Sequence, residues 1–254
     1  MQGRKRLAIG FTIIAVLAGL VAAMSHFVFH RNADALWKIV SQQCIPGERQ
    51  TGNPSPCSDV SEAMGYVILK DRQGVLQYLL LPTAKVSGIE SPVLLRPVTP
   101  NYLAEAWLAR RFMEERRGSI IDDSVYSLAV NSALGRTQNQ LHVHISCLHP
   151  AVRQQLDRLA PRLNDTWQTF PLKNHRYFLR TVSSDQLKRT SPFILIAREL
   201  PDARNKMGHF GIAVAALKDG KKVLMVVERN LLDFNLASAE ELQDHGCALL
   251  QQTQ

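Results

Sequence analysis

The chain is poor in cysteine, in aromatic residues and in clustered positive charge, and each shortage excludes a class of protein. Only four of its 254 residues are cysteine, and no two stand in a CxxC pair, so the sequence does not predict a zinc ribbon. Phe, Trp and Tyr make up 7% of the chain, and its lysines and arginines are scattered although the net charge is +8. Nucleic-acid binding typically uses basic stripes interleaved with aromatic residues, and the sequence has none. We therefore expect no nucleic-acid partner.

One long hydrophobic run is present near the N-terminus. Residues 7–29 carry no charged side chain, follow three cations at positions 4–6, and precede the single cation Arg31. A membrane-spanning helix needs about 20 apolar residues, whereas the core of a cleaved signal has about 7–15. Because cations favour the cytoplasmic side, the run predicts a single-pass helix in a bacterial inner membrane, with a cytoplasmic N-terminus and a periplasmic remainder. The alternative is a signal peptide cleaved after residues 21–23, Val-Ala-Ala.

The four cysteines agree with export, because disulfides persist outside the reducing cytosol. Four cysteines allow three connectivities. We favour Cys44–Cys57, which would close a turn-rich loop, together with Cys147–Cys247, which would tie a histidine-containing strand to the last helix. Free buried thiols are the alternative.

Apolar periodicity predicts an α+β fold, with an antiparallel sheet flanked by helices beyond the N-terminal transmembrane helix. Helices are predicted at 33–43, 101–117, 150–163 and 193–200, with a last one begun by a capping box at Ser238. Hairpins are predicted at 65–81 and 210–228, and a strand pair at 127–131 and 140–147. The two hairpins share a glycine, an apolar run and a Lys-Asp pair, which suggests two related halves; unrelated hairpins with polar turns are the other interpretation. The predicted divisions are residues 1–30 (cytoplasmic N-terminus and anchor), 31–62 (disulfide-containing lead-in), 63–170 (catalytic half) and 171–254 (second half).

The most informative segment is 140–146, Gln-Leu-His-Val-His-Ile-Ser. Polar and apolar residues alternate, so Gln140, His142, His144 and Ser146 share one face of a half-buried strand. Two same-face imidazoles suit three roles. They can act in phosphoryl chemistry, they can ligate a metal completed by a carboxylate at position 122 or 123, or they can be structural.

The residues before the histidines would suit phosphoryl chemistry, while the metal and structural roles stay open. A neutral imidazole is a good nucleophile toward phosphorus and a good leaving group, so it can divide one difficult displacement into two easier ones. Arg136, Thr137 and Gln138 follow Gly135 and can hold the charge of the attacked phosphate. The Gln140 amide and the second imidazole lie on the same face and can assist.

The spacing Gly135-x4-Gln140-x-His142-x-His144, with Asn131 on the preceding strand, resembles the histidine-triad superfamily of nucleotide hydrolases and transferases. Over nearly the whole chain the sequence is similar to the family of bacterial CDP-diacylglycerol pyrophosphatases. That similarity is carried by the N-terminal apolar run and by segments 53–57 (NPSPC), 65–71 (GYVILKD), 136–139 (RTQN), 144–147 (HISC) and 238–241 (SAEE).

The resemblance implies a histidine-triad-like sheet and a periplasmic hydrolase of phospholipid metabolism, acting at the membrane without a cofactor or metal. CDP-diacylglycerol would be cleaved to CMP and phosphatidate through a nucleotidyl-histidine. His142 would be the nucleophile and His144 would contact phosphate oxygens, with Asn131 and the Arg136-Thr137-Gln138 loop holding the phosphate and nearby sugar. Gln140 stands where the family usually has its first histidine.

Three alternatives to this assignment remain. In a shifted register His144 would be the nucleophile and Ser146 would take the third position. The protein would otherwise be a periplasmic metal-dependent hydrolase with His142 and His144 as ligands, or a non-catalytic module that binds a nucleotide or lipid. The sequence does not indicate an oligomeric state.

Overall fold

The computed structural model describes residue 19 and residues 33–251 of the chain. The strands are β1 Cys57–Ser61, β2 Tyr66–Lys70, β3 Tyr78–Pro82, β4 Tyr126–Val130, β5 Val143–Leu148, β6 Gln168–Leu172, β7 His175–Val182, β8 Phe210–Ala216, β9 Lys222–Glu228 and β10 Gln243–Asp244. They form one antiparallel sheet in the order β1-β2-β3-β5-β4-β8-β9-β7-β6, with β10 paired to β5.

Helices cover both faces of this sheet. The α-helices are α1 Ala35–Ile39, α2 Ile45–Thr51, α3 Tyr102–Ala109, α4 Arg111–Arg117, α5 Pro150–Leu159, α6 Ser184–Arg189 and α7 Pro192–Glu199. A π-helical turn, Val40–Cys44, joins α1 to α2. Short 3-10 helices lie at Pro92–Leu95, Asp123–Val125, Ala160–Arg162, Ala203–Asn205, Met207–His209, Leu231–Asp233, Ala239–Leu242 and Ala248–Leu250.

The same connectivity occurs twice in the sheet. The hairpin β2–β3 is followed by α3 and α4 and then by β4 and β5, with β5 beside β3. The hairpin β6–β7 is likewise followed by α6 and α7 and then by β8 and β9, with β9 beside β7. The predicted correspondence between the hairpins at 65–81 and 210–228 is therefore wrong. The second of these is β8–β9, which occupies the place of β4–β5.

Three hydrophobic clusters place the histidine strand. One face of the sheet packs against α3, α4 and α7 and buries Val143, Ile145 and Cys147 of β5. The other face carries two separate clusters, one around α5 and the C-terminal segment and one around the turn between α1 and α2. Because side chains alternate along a strand, His144 projects to the second face. His142 and His144 line the cavity that lies there, beside residues of α1 and Glu240.

The predicted fold class needs correction. No helix within the described ranges is long and apolar enough to cross a membrane, and the predicted transmembrane segment, 7–29, lies outside those ranges except for residue 19. The described chain is a mixed α/β fold, and because β4 pairs with β8, both hairpins belong to one large antiparallel sheet. The predicted fold class, an α+β fold with a histidine-triad-like sheet, is therefore wrong for the described residues.

Three predicted helices also differ from the structure. The helix at 101–117 is divided at Arg110, whose guanidinium stacks over Trp107 and pairs with Asp123. The helix from Pro150 ends at Leu159, just before a 3-10 turn that contains the helix-breaking Pro161. The segment after Ser238 is a single 3-10 turn without a side-chain cap.

Both favoured disulfides, Cys44–Cys57 and Cys147–Cys247, are confirmed. The first joins the π-helical turn to β1, and the second joins β5 to the C-terminal segment. The second bridge therefore holds that segment against the strand that carries His144.

Replacing Cys147 and Cys247 together by alanine is expected to lower the free energy of unfolding by about 4–5 kcal/mol, because loop-closure cost grows with loop length. This bridge spans 100 residues, whereas Cys44–Cys57 spans 13. Removing the shorter bridge should cost about 3 kcal/mol. Urea unfolding of the two double-alanine variants measures both values. A larger loss from the shorter loop would contradict this ranking.

Candidate active site

The two histidines line a cavity of about 730 Å³. One part of its lining is apolar and comes from α1, β2 and β3: Leu36, Ile39, Leu69 and Leu79. The other part is polar and comes from the β2–β3 turn, the loop before β5 and the C-terminal segment: Lys70, Asp71, Arg72, Gln73, Thr137, Gln138 and Glu240. The cavity therefore offers an amphiphilic ligand a polar and an apolar region.

His142 has a defined tautomer. Its Nδ1 lies 2.7 Å from the backbone oxygen of Gln140. A carbonyl only accepts hydrogen bonds, so Nδ1 carries the proton and Nε2 keeps its lone pair. Burial, assisted by the nearby His144, lowers the pKa of His142 to about 4. At neutral pH the ring is therefore uncharged and basic at Nε2.

His144 is the neighbouring buried imidazole. The two rings have centroids 4.8 Å apart and meet edge to face, at 67°. Its Nδ1 lies 3.2 Å from Glu240 Oε1 and 3.2 Å from Gln77 Nε2. Its Nε2 is buried and has no hydrogen-bond partner within the described part of the chain. Burial lowers the pKa of His144 to about 4, although the negative charge of Asp71 acts in the opposite direction.

Glu240 connects this site to the C-terminal segment. Its Oε2 accepts a hydrogen bond from Asn131 Nδ2 at 3.1 Å, while its backbone N–H donates to Asn131 Oδ1 at 3.1 Å. Its Oε1 contacts two imidazoles, because His144 Nδ1 is 3.2 Å away and His245 Nε2 is 3.3 Å away. Asn131 also accepts from the hydroxyl of Ser238. The asparagine therefore holds the carboxylate against His144.

The carboxylate of the next residue, Glu241, also holds the C-terminal segment against the sheet. Glu241 accepts hydrogen bonds from the Tyr177 hydroxyl at 2.6 Å and from His175 Nδ1 at 2.8 Å. Both partners belong to β7. Consecutive acidic residues thus contact different parts of the sheet, and these contacts fix the segment 238–241.

Sequence reasoning missed Glu240 as a functional residue. Its segment, SAEE at 238–241, matched the family and was interpreted as a helix cap. The Ser238 hydroxyl instead donates to Asn131, and the carboxylate of Glu240 points to the site. The resemblance of segment 238–241 to the family was a signal that could have identified Glu240, but its partners Asn131 and His144 lie about a hundred residues earlier in the chain.

The predicted phosphate-binding loop is only partly directed at the cavity. Thr137 and Gln138 line it, and Gln138 Oε1 also accepts from the backbone N–H of Leu36 at 3.1 Å. Arg136 forms a two-pronged ion pair with Glu90, with N–O distances of 2.7 and 2.8 Å. Its guanidinium approaches Gly88 so closely that a Cβ there would lie 2.6 Å from Nη1. Arg136 thus joins the loop after β3, which contains Glu90, to the loop between β4 and β5, which leads to His142.

Gln140 occupies a structural position. Its Nε2 donates to the carbonyls of Pro82 and Ala84, and its Oε1 accepts from the N–H of Val86. The side chain is therefore fully engaged with the loop after β3. What Gln140 supplies to the site is its backbone carbonyl, which orients His142.

The alternative assignments find less support in this geometry. Asp122 caps a 3-10 turn and Asp123 pairs with Arg110, and both residues precede the start of β4. His144 pairs with Ala129, near the other end of β4, so neither aspartate lies next to the histidines. Within the described residues, no group of three or more His, Cys, Asp or Glu side chains is placed to hold a metal ion. Ser146, third in the shifted register, is fully buried and is not part of the cavity lining.

Paired neutral imidazoles in a partly apolar cavity are compatible with nucleophilic attack on an amphiphilic substrate. A sequence model of the CDP-diacylglycerol pyrophosphatase family matches residues 31–251. Because the match spans most of the chain, the chain belongs to this family. It is a phosphoanhydride hydrolase, and its substrate is CDP-diacylglycerol.

Proposed function

We propose that the enzyme cleaves CDP-diacylglycerol in two displacements, through a nucleotidyl intermediate on His142. The observation that carries this proposal is the hydrogen bond from His142 Nδ1 to the Gln140 carbonyl. It leaves Nε2 as the basic atom of a neutral ring in the cavity. An imidazole in this state can attack phosphorus without first losing a proton.

In the first displacement, His142 Nε2 forms a bond to the cytidine-side phosphorus. The bond from that phosphorus to the bridging oxygen breaks, and phosphatidate leaves with the electron pair. In the second displacement, water attacks the same phosphorus, the P–N bond breaks, and CMP is released with a proton passed to solvent. His142 returns to its neutral form.

His144 acts on the phosphate oxygens. Its Nε2 has no hydrogen-bond partner among the described residues and is available for a bound anion, and the negative charges of Asp71 and of Glu240, which lies 3.2 Å from Nδ1, favour the protonated ring. When the negative pyrophosphate enters, both anions favour the imidazolium, which then donates from Nε2. Thr137 and Gln138 line the same cavity and contribute polar contacts.

The apolar lining formed by Leu36, Ile39, Leu69 and Leu79 suits the glycerol and acyl part of the substrate. A diacyl substrate resides in a bilayer, so we propose that the enzyme works at a membrane surface. The two disulfides support a working site outside the reducing cytosol, such as the periplasm.

Acid- and base-quenched incubation tests the intermediate. The full chain is mixed with CDP-diacylglycerol that carries a label in cytidine, then denatured within the first turnover. We expect protein-bound label that survives base and is released by acid, as a phosphoramidate is, together with CMP and phosphatidate as products. CMP formation at full rate without protein-bound label at any time would favour direct attack by water.

A further inference from the structure

Five of the ten large apolar side chains exposed by the described residues lie on two neighbouring loops. We call this set the apolar loop patch: Leu134, Leu231, Leu232, Phe234 and Leu236. Leu232 is 91% exposed and Phe234 is 92% exposed, which makes them the two most exposed members. Single exposed apolar residues are common, but a cluster of this kind marks an interaction surface.

The patch belongs to an ordered turn. Asn230 and Asn235 exchange two backbone hydrogen bonds of 2.9 Å, and Asn230 Oδ1 accepts from the N–H of Leu232. Phe234 has a φ of 53°, a left-handed conformation that is unfavourable for a bulky residue. The fold therefore holds Leu232 and Phe234 outward instead of folding them into a core.

The two loops are joined to each other and to the site. Ser132 donates its hydroxyl to the carbonyl of Leu236, and its N–H donates to the carbonyl of Ala237. The first loop continues through Thr137 and Gln138 to His142, and the second continues to Glu240. The patch thus lies at the end of the sheet where β4 ends and the histidine strand begins.

We propose that the apolar loop patch inserts into the lipid bilayer that contains the substrate. This inference rests on the proposed action on a membrane-resident diacyl lipid. A convex turn tipped with leucine and phenylalanine suits the acyl boundary of a bilayer. Residues 33–254 carry 26 lysines and arginines and 22 acids, and this net charge of +4 adds attraction to anionic headgroups. The one acid in the turn, Asp233, accepts a hydrogen bond from Asn230.

A site-specific quenching experiment tests the insertion. All four cysteines are in disulfides, so a single introduced cysteine can be labelled selectively. Leu232→Cys and Ile120→Cys, each carrying a fluorophore, are compared in the full chain. Ile120 is 86% exposed and precedes the start of β4, at the opposite end of the sheet, so it is the matched control.

The labelled proteins are mixed with phosphatidylethanolamine–phosphatidylglycerol vesicles that contain lipids with a quencher on the acyl chain. We expect quenching at position 232 and little at 120. Because the readout is local, attachment of the chain through another segment does not quench position 232. Equal quenching at both positions, or none at 232, would overturn the proposal. So would a spectral change at 232 that depends on protein concentration without lipid, since it would assign the patch to a second copy.

Kinetics provide a second readout with the Leu232→Ser/Phe234→Ser variant. We expect kcat/KM for CDP-diacylglycerol in vesicles to fall about tenfold, because apolar burial at the bilayer is lost, and to stay unchanged in detergent micelles. Ile120→Ser should match wild type in both. An equal fall in vesicles and micelles would contradict a bilayer contact. If wild type hydrolyses the lipid in neither preparation, the proposed function fails, while the quenching result still decides the patch.

Discussion

Replacing His142 by alanine is expected to lower kcat for CDP-diacylglycerol by about 10⁴- to 10⁶-fold, because the variant lacks the atom that bonds to phosphorus. His144→Ala is expected to lose about 10²- to 10³-fold, since it removes a donor to the phosphate but keeps the nucleophile. The measurement is CMP release by full-length protein. Protein-bound cytidine label should disappear in His142→Ala and persist in His144→Ala.

The control for this pair is His149→Asn. His149 caps α5 by accepting the N–H of Ala151, and asparagine caps helices well, so this variant should retain both fold and turnover. A His142→Ala enzyme that still acquires the label would contradict the assignment. Loss of the label in His144→Ala alone would favour the shifted register, with His144 as nucleophile.

Local patterns predicted the strand that carries His144 and is preceded by His142. Alternation over 140–146 correctly separates Val143 and Ile145, which enter the core, from the histidines on the other face. The turn-rich composition between Cys44 and Cys57 likewise predicted their disulfide, although residues 45–51 of this predicted loop form α2. These features depend on neighbours in the chain, which is why periodicity and turn composition are sufficient for them.

The contacts that sequence reasoning could not supply are long-range. Glu240 reaches His144 because β10 pairs with β5 and the Cys147–Cys247 bridge holds the same segment. Gln140 alternates correctly with the histidines, but its amide is occupied by backbone groups of the loop after β3. No pattern along the chain reveals which backbone atoms will surround a side chain. The repeated connectivity of the sheet was misassigned for the same reason, since hairpins with similar turns can occupy different places in a sheet.

Replacing Glu240 by glutamine is expected to lower kcat by about 10²-fold, because it removes the negative charge that favours protonated His144. Wild-type kcat/KM should fall as the pH drops through about 4, since burial lowers the pKa of His142 to about 4 and only the neutral ring attacks. That acid limb should move to lower pH in Glu240→Gln, because the carboxylate also raises the pKa of His142. The optimum of kcat should move in the same direction, because His144 without its carboxylate needs more acid to be protonated.

Glu241→Gln is the matched control for this charge. Its carboxylate contacts His175 and Tyr177 on β7 and not the cavity, so its loss should lower stability while the pH profile of the folded enzyme stays as in wild type. Glu240→Asp keeps the charge at a shorter reach, so it should recover part of kcat and restore the optimum. Far-UV circular dichroism at each pH separates unfolding from titration. If Glu240→Gln loses activity by the same factor at every pH, the carboxylate supports the segment's structure and does not set the charge of His144.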